Sequence, residues 1–299
     1  MLLGQFGEGT QALAAIPPER LTLADRWILA RARATIGTAT QQYERFRLNE
    51  AAGAIYHFLW SDLADWYLEQ IKPRLYDAQP GGDVARAVAA HVFDIALRLI
   101  HPVMPFITET LWQRLPGHTA TDSISVSRWP TAADAPHDAA ALAEFGSVQE
   151  IIGAIRALRA EYAVAPGQQI HVTLATVSEL ARRAIAAEDD TVRRLAKVAE
   201  LNVDGGAVTN AVVSVLADRT TILIPLGDLV DVEQECSRLT AEATRLDGLA
   251  TAQELKLANP QFVARAPAAI VDKERGKLAA LRAQVDALRE QRKALGCSG

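Results

Sequence analysis

The chain has 299 residues, 49% of them hydrophobic, with a formal net charge of −5. That length allows two or three domains, and the hydrophobic share is ordinary for a globular protein. The acidic balance excludes a global basic field, so any nucleic-acid contact must use local patches. No apolar run is long enough to span a bilayer, and Met1-Leu2-Leu3-Gly4 lacks the basic region and long apolar core of a secretory signal.

Taken in order, residues 1–20 contain Gly4, Gly7, Gly9, Pro17 and Pro18 and read as a connector, from which a further domain upstream is expected. Thr22-Leu23-Ala24-Asp25 has the capping-box form, and the helix it opens runs to about Tyr43 with Ile28, Ala32, Ile36 and Ala39 on one side. Asn49 is a candidate cap for the next helix, whose face carries Ile55, Leu59, Leu63, Trp66 and Tyr67 and which ends near Pro73. Gly81-Gly82-Asp83 starts a third helix; His101-Pro102 breaks it, with His101 expected to cap, and Pro105 opens a fourth through Trp112. Four amphipathic helices with short turns make a bundle. Ser123-Ile124-Ser125-Val126-Ser127 alternates as a short strand or extended tail, and residues 131–144 read as a linker.

From 145 the texture is that of a small α/β unit. A helix stripe (Val148, Ile151, Ile152, Ile155, Leu158, Tyr162) turns at Pro166-Gly167, and a strand follows from Ile170 to Leu174. A helix then covers about Ser178–Lys197, with strands at Val212–Leu216 and Thr221–Ile224. From about Asp228, Val232, Cys236, Leu239, Ala243 and Leu246 step by four and three, and Leu278, Leu281, Val285, Leu288 and Leu295 keep heptad spacing. Pro260 and Pro267 punctuate the stretch between them. The fold class is therefore mainly α: an antiparallel helical bundle, then a small α/β unit, then a long antiparallel coiled-coil hairpin. Arms of roughly 25–30 residues reach about 40 Å. A solvated coiled coil explains the periodicity alone; the turn, with Phe262, Val263 and Arg265, is more than a polar connector needs.

Few catalytic constellations survive inspection. There is no Gly-x4-Gly-Lys loop, no Gly-x-Gly-x-x-Gly and no histidine pair at zinc spacing. Cys236 and Cys297 lack metal-ligand spacing; they argue against a disulfide scaffold and fit a reducing cytosol. Asp62, Asp65 and Glu69 share a helix face and could serve acid–base or metal chemistry, or form salt bridges with Arg26, Lys72 or Arg74 inside the bundle. Phe58, Trp60, Trp66 and Tyr67 could be core or a stacking surface for unpaired bases. Phe46-Arg47, beside Arg45 in the turn between the first two helices, is the better stacking candidate.

Several stretches then fall into one family's order. Asp25-Arg26-Trp27-Ile28-Leu29, Asp65-Trp66-Tyr67-Leu68-Glu69 and the run from Leu99-Ile100-His101-Pro102 to Leu111-Trp112 resemble the anticodon-binding helical domain of class I aminoacyl-tRNA synthetases for branched aliphatic amino acids. Ile155-Arg156-Ala157-Leu158-Arg159-Ala160-Glu161 with Pro166-Gly167 resembles the segment that follows in the valyl-tRNA synthetase family, and Asn259–Arg275 resembles the tip of that family's C-terminal hairpin. The family's His-x-Gly-His and Lys-Met-Ser-Lys-Ser signatures do not occur. The resemblance implies a tRNA-binding segment whose catalytic, ATP-using domain and editing domain should precede residue 20. No cofactor is expected in the segment itself, and the partner implied is tRNA for valine, with a cytoplasmic monomer expected.

The implied organisation is a connector (1–20), an anticodon-binding bundle (21–130), a linker (131–144), an α/β domain (145–227) and a tRNA-binding arm (228–299). Candidate tRNA contacts are Arg26, Phe46, Arg47 and Glu109 in the bundle, and Phe262, Arg265, Lys273, Arg275, Lys277 and Arg282 on the arm. Phe262 could lie against a base or sugar or pack under the turn. Two other readings stay open: a protein-interaction scaffold, which needs a wide apolar patch on the hairpin, and a free-standing enzyme built on Asp62, Asp65 and Glu69.

Overall fold

The computed structural model describes residue 6 and residues 10–76, 80–206, 208–229, 232–259, 267–294 and 297. Helices dominate: α1 (Leu23–Glu44), α2 (Leu48–His57), α3 (Glu69–Tyr76), α4 (Gly82–Ile100), α5 (Pro105–Trp112), α6 (Ala139–Glu161), α7 (Glu179–Ala196), α8 (Leu226–Leu229), α9 (Val232–Ala258) and α10 (Ala268–Ala294). A four-stranded sheet comprises β1 (Ile170–Ala175), β2 (Val198–Val203), β3 (Ala211–Val215) and β4 (Thr221–Pro225). The chain divides into two compact units, Met1–Leu158 with Val172–Ala207 and Val213–Leu223, and Arg159–His171 with Val208–Val212 and Ile224–Gly299.

The capping box forms as expected: the Asp25 N–H donates to Thr22 Oγ1 (3.3 Å) and the Thr22 N–H to the Asp25 carboxylate (3.0 Å). Arg20 joins Asp83 at 2.9 Å, which holds the starts of α1 and α4 together. The Tyr43 hydroxyl donates to the Leu99 carbonyl at 3.2 Å, which holds their ends together. The two helices therefore run parallel, and the chain returns between them through α2 and α3. That return is continuously helical, because His57, Phe58 and Glu69 keep right-handed helical dihedrals on either side of Phe58–Leu68, which winds as a π-helix, and α3 runs through Pro73 to Tyr76 instead of ending at the proline. Apolar periodicity does not announce such a wide winding. Trp27, Phe58, Tyr67 and Phe145 are fully buried, with Trp27 stacked on Phe145 at 4.3 Å between centroids. Phe145 belongs to α6, so the bundle core continues into that helix.

Several local expectations change. The second helix is not capped by Asn49: Arg47 holds the cap position without a side-chain bond, and its carbonyl accepts from the Ala51 N–H. Ser123–Ser127 is a 3-10 turn rather than a strand, because the Ser123 hydroxyl accepts from the Ser125 N–H and Ser127 Oγ donates to the Ile124 carbonyl. Helix α6 starts at Ala139, ahead of the expected 145, since the Asp138 carboxylate accepts from the Ala141 N–H. Strand β2 was not anticipated, for its burial pattern offers only Val198 and Leu201 as inward residues.

The sheet order is β2-β1-β4-β3, and β1 pairs antiparallel with β4 through Thr173↔Leu223, Leu174↔Ile222 and Ala175↔Thr221. Helix α7 kinks at Glu188, whose buried carboxylate accepts from Gln70 Nε2 and Thr191 Oγ1. Arg194 donates to the carbonyls of Glu69 and Gln70, so α7 is tied to α3.

Helices α9 and α10, each 27 residues, lie side by side and antiparallel. Rising numbers on one meet falling numbers on the other: Arg289–Asp247, Arg282–Glu254 and Lys256–Glu274. Leu239, Ala243, Leu246, Ala250, Val271 and Val285 fill the seam. Leu295 lies outside the described residues. The structure overturns the expectation that Cys236 and Cys297 stay unpaired. The two are bonded, with Cα atoms 5.7 Å apart across a sequence separation of 61. The antiparallel return makes them neighbours, which spacing along the sequence does not reveal.

Candidate nucleic-acid interface

The shared end of α1 and α4 carries an unusual surface. Helix α1 stops when Phe46 adopts φ 56°, the left-handed region, and the Arg47 N–H bonds back to the Gln42 carbonyl at 2.9 Å. Glycine is the usual residue there, and a larger one pays roughly 1–2 kcal/mol of steric strain. The strained Phe46 buries nothing: it is 89% exposed, between Arg45 and Arg47. At the same end, the turn after α4 exposes Val103, Met104, Phe106 and Ile107, Phe106 at 88%.

This second surface is rigidly braced. His101 sits at the C-cap of α4, as expected; its Nδ1 contacts Thr108 Oγ1 at 2.7 Å and its Nε2 contacts Ser125 Oγ at 3.1 Å. Thr108 Oγ1 also lies within bonding distance of the Met104 carbonyl, at 2.8 Å. Pro105 takes the first position of α5, where its missing N–H costs nothing. The apolar residues are thus held at the surface by polar bonds beneath them. An aromatic ring flanked by arginines, beside further open apolar side chains, can stack on unpaired bases while the cations meet phosphate.

The other expected contacts are dispersed. Arg26 lies in the first turn of α1 and pairs with Asp138 at 3.0 Å; at 1.5 Å per residue it is about 30 Å from Phe46. Glu109 accepts from Gln113 Nε2 at 2.9 Å and from Ser123 Oγ at 3.2 Å, so it fastens the turn behind α5. On the arm, Lys273 is exposed and Arg275 sits 3.4 Å from Asp272. Lys277 bonds Glu274 at 2.7 Å, and Arg282 bridges to Glu254 at 2.6 Å and Asp247 at 3.2 Å. Phe262 and Arg265 lie outside the described residues. Val103, Met104, Phe106 and Ile107 add to the contacts the sequence suggests, and their signal in the sequence is an apolar run in a Pro-bounded turn.

The carboxylate reading fails on geometry. Asp62 is buried against Arg31 at 2.8 Å, a partner not expected from sequence; burial raises its pKa, and the Arg31 bond and charge oppose that. Glu69 is bonded by Lys72, and Asp65 faces solvent. Clefts of about 430, 760 and 560 Å³ are lined by other residues. Among the described residues no group of three His, Cys, Asp or Glu could hold a metal. Of the crowded aromatics, Phe58 and Tyr67 are core, while Trp66 meets Phe145 edge-on and lies under the Arg156 guanidinium at 5.7 Å.

Two family models match the chain, and the first of them runs from the bundle through α6 into β1. Residues 25–174, half of the chain, match the anticodon-binding domain of tRNA ligase. Residues 231–296 match the valyl tRNA synthetase tRNA binding arm. The valine–tRNA ligase of Carboxydothermus hydrogenoformans is 42% identical over 284 residues, covering 93% of this chain and 31% of that protein. That of Synechocystis sp. is 35% identical, over 99% of this chain and 33% of the relative, and that of Geobacter sulfurreducens 38%, over 90% and 30%. The chain thus spans about a third of the length of these relatives. By these matches the chain belongs to the tRNA ligase anticodon-binding family, in the branch that carries the valyl-tRNA synthetase tRNA binding arm.

Proposed function

We propose that this chain is the tRNA-holding segment of a valine–tRNA ligase. The bundle end bearing Phe46 and Phe106 receives unpaired anticodon bases. The α9–α10 pair acts as a coiled-coil arm that braces the tRNA body through Lys273 and Arg275, with Phe262 and Arg265 as further contacts suggested by the sequence. Two contacts on one rigid ligand raise affinity through effective concentration. Joining valine to its tRNA at the expense of ATP is proposed for the whole ligase and assigned to no residue of this segment. A cytoplasmic monomer suits that role, and among the described residues no helix is long and apolar enough to cross a membrane.

The observation that carries the reading is Phe46, held strained and open between two arginines at the end that also displays Phe106. The test is binding of this chain to tRNA for valine and to an unrelated tRNA across a salt series. The expected result is preference for the valine tRNA, with affinity falling steeply as salt rises through counterion release. Equal binding of both tRNAs rejects anticodon reading by this segment.

A further inference from the structure

A second open aromatic feature lies away from the bundle's end. Tyr56 and Trp60 are 63% and 60% exposed, and their rings are parallel within 6° with centroids 6.1 Å apart. They continue a line that starts at exposed Leu48 and passes Ala52, each step four residues along the helix. Beside that line stand Asn49, Gly53 and His57, all exposed. Among the described residues a Cβ at Gly53 would meet no atom within 4 Å, so none of them covers that flank of Tyr56.

The width of the line identifies its occupant. A docking helix needs an apolar stripe of about 100° or more. Here Asn49, Gly53 and His57 border one side and the other side, Ala51, Ile55 and Leu59, turns into the core, so the open apolar line is about one residue wide and a partner helix would bury too little. A nucleobase needs only one aromatic face, whatever its sequence. The length also fits: Leu48 to Trp60 is about 18 Å at 1.5 Å per residue, or about five nucleotides at 3.4 Å along one strand. The line begins one residue beyond Arg47, so it is continuous with the proposed anticodon surface.

We propose that the outer face of α2, continued by Trp60 of the π-helical segment, is a second stacking contact for the same tRNA, along which nucleotides flanking the anticodon lie with a base against Tyr56 and Trp60. This rests on the function proposed above. The experiment measures binding of a fluorescently labelled RNA hairpin carrying the valine anticodon loop to the wild-type chain and to F46A, Y56A, W60A and G53E. Tyr56→Ala and Trp60→Ala should each weaken binding about tenfold, the range for loss of one base–aromatic stack. Gly53→Glu should weaken binding while raising thermal stability, because it adds helix propensity in open space but puts bulk and negative charge beside the ring. That pairing separates RNA contact from damage to the fold. If Y56A, W60A and G53E stay within twofold of wild type while F46A weakens binding, the Leu48–Trp60 line is not an RNA contact and the anticodon reading stands. If F46A also binds like wild type, the anticodon reading fails and the second contact falls with it.

Discussion

Arg74 grips Asp25 with both terminal guanidinium nitrogens, Nη1 and Nη2, each 3.0 Å from a separate carboxylate oxygen, and both side chains are buried. The Tyr67 hydroxyl donates to the same carboxylate at 2.7 Å, and burial, then the Asp25 charge, hold that phenol protonated. Asp25 therefore does two jobs: it caps α1 and anchors α3. Removing one partner leaves an uncompensated buried charge. Arg74→Ala or Asp25→Ala should lower unfolding stability by about 3–5 kcal/mol, read from the urea midpoint, whereas the exposed Arg20–Asp83 pair should contribute less than about 1 kcal/mol.

Phe46 separates stability from binding. Phe46→Gly relieves the left-handed strain and should leave the fold equally or more stable, by up to about 1 kcal/mol. It should cost about 1–3 kcal/mol of affinity for the valine tRNA through lost stacking. Thermal melts and anisotropy titrations on the same preparation check both. A stable variant with unchanged affinity would remove Phe46 from the interface.

The arm cations should behave as two classes. Lys273→Glu and Arg275→Glu alter exposed charge near the arm's tip, so they should weaken tRNA binding and flatten its salt dependence with helicity unchanged. Arg282 already bridges Glu254 and Asp247 across the two helices. Arg282→Ala should chiefly loosen the arm, seen as lower helicity at elevated temperature. A salt slope that is the same in all three variants would argue against phosphate contact at Lys273 and Arg275.

Glu274 gives the arm a pH dependence. Bonds from Lys277, Gln253 and Lys256 hold its carboxyl down at about 2, below the ordinary 4.5. A depressed acid stabilises the fold above its unfolded value, and that contribution is lost as pH falls from about 4.5 toward about 2. Circular dichroism over that range should show the wild-type arm weakening. Glu274→Gln should be less stable near neutrality and should lose this component of the pH response.

The sequence by itself determined the local devices and the family. The Thr22–Asp25 capping box, the break at Pro102 and the helix start at Pro105, α7 between its caps Ser178 and Lys197, and the heptad spacing in α9 and α10 all follow from interactions within a few residues, which spacing encodes directly. The motifs around Asp25, Asp65 and His101 carried the family for the same reason: they are contiguous. Only the tertiary structure decided which side chains remain open. Phe46 and Phe58 are the same residue type on neighbouring stretches, yet one faces solvent and the other is core, because burial depends on which helix packs across. Arg26 and Glu109 sat inside matching motifs, yet Asp138 and Ser123, distant in sequence, occupy them. Cys236 and Cys297 became partners only because α10 returns antiparallel along α9.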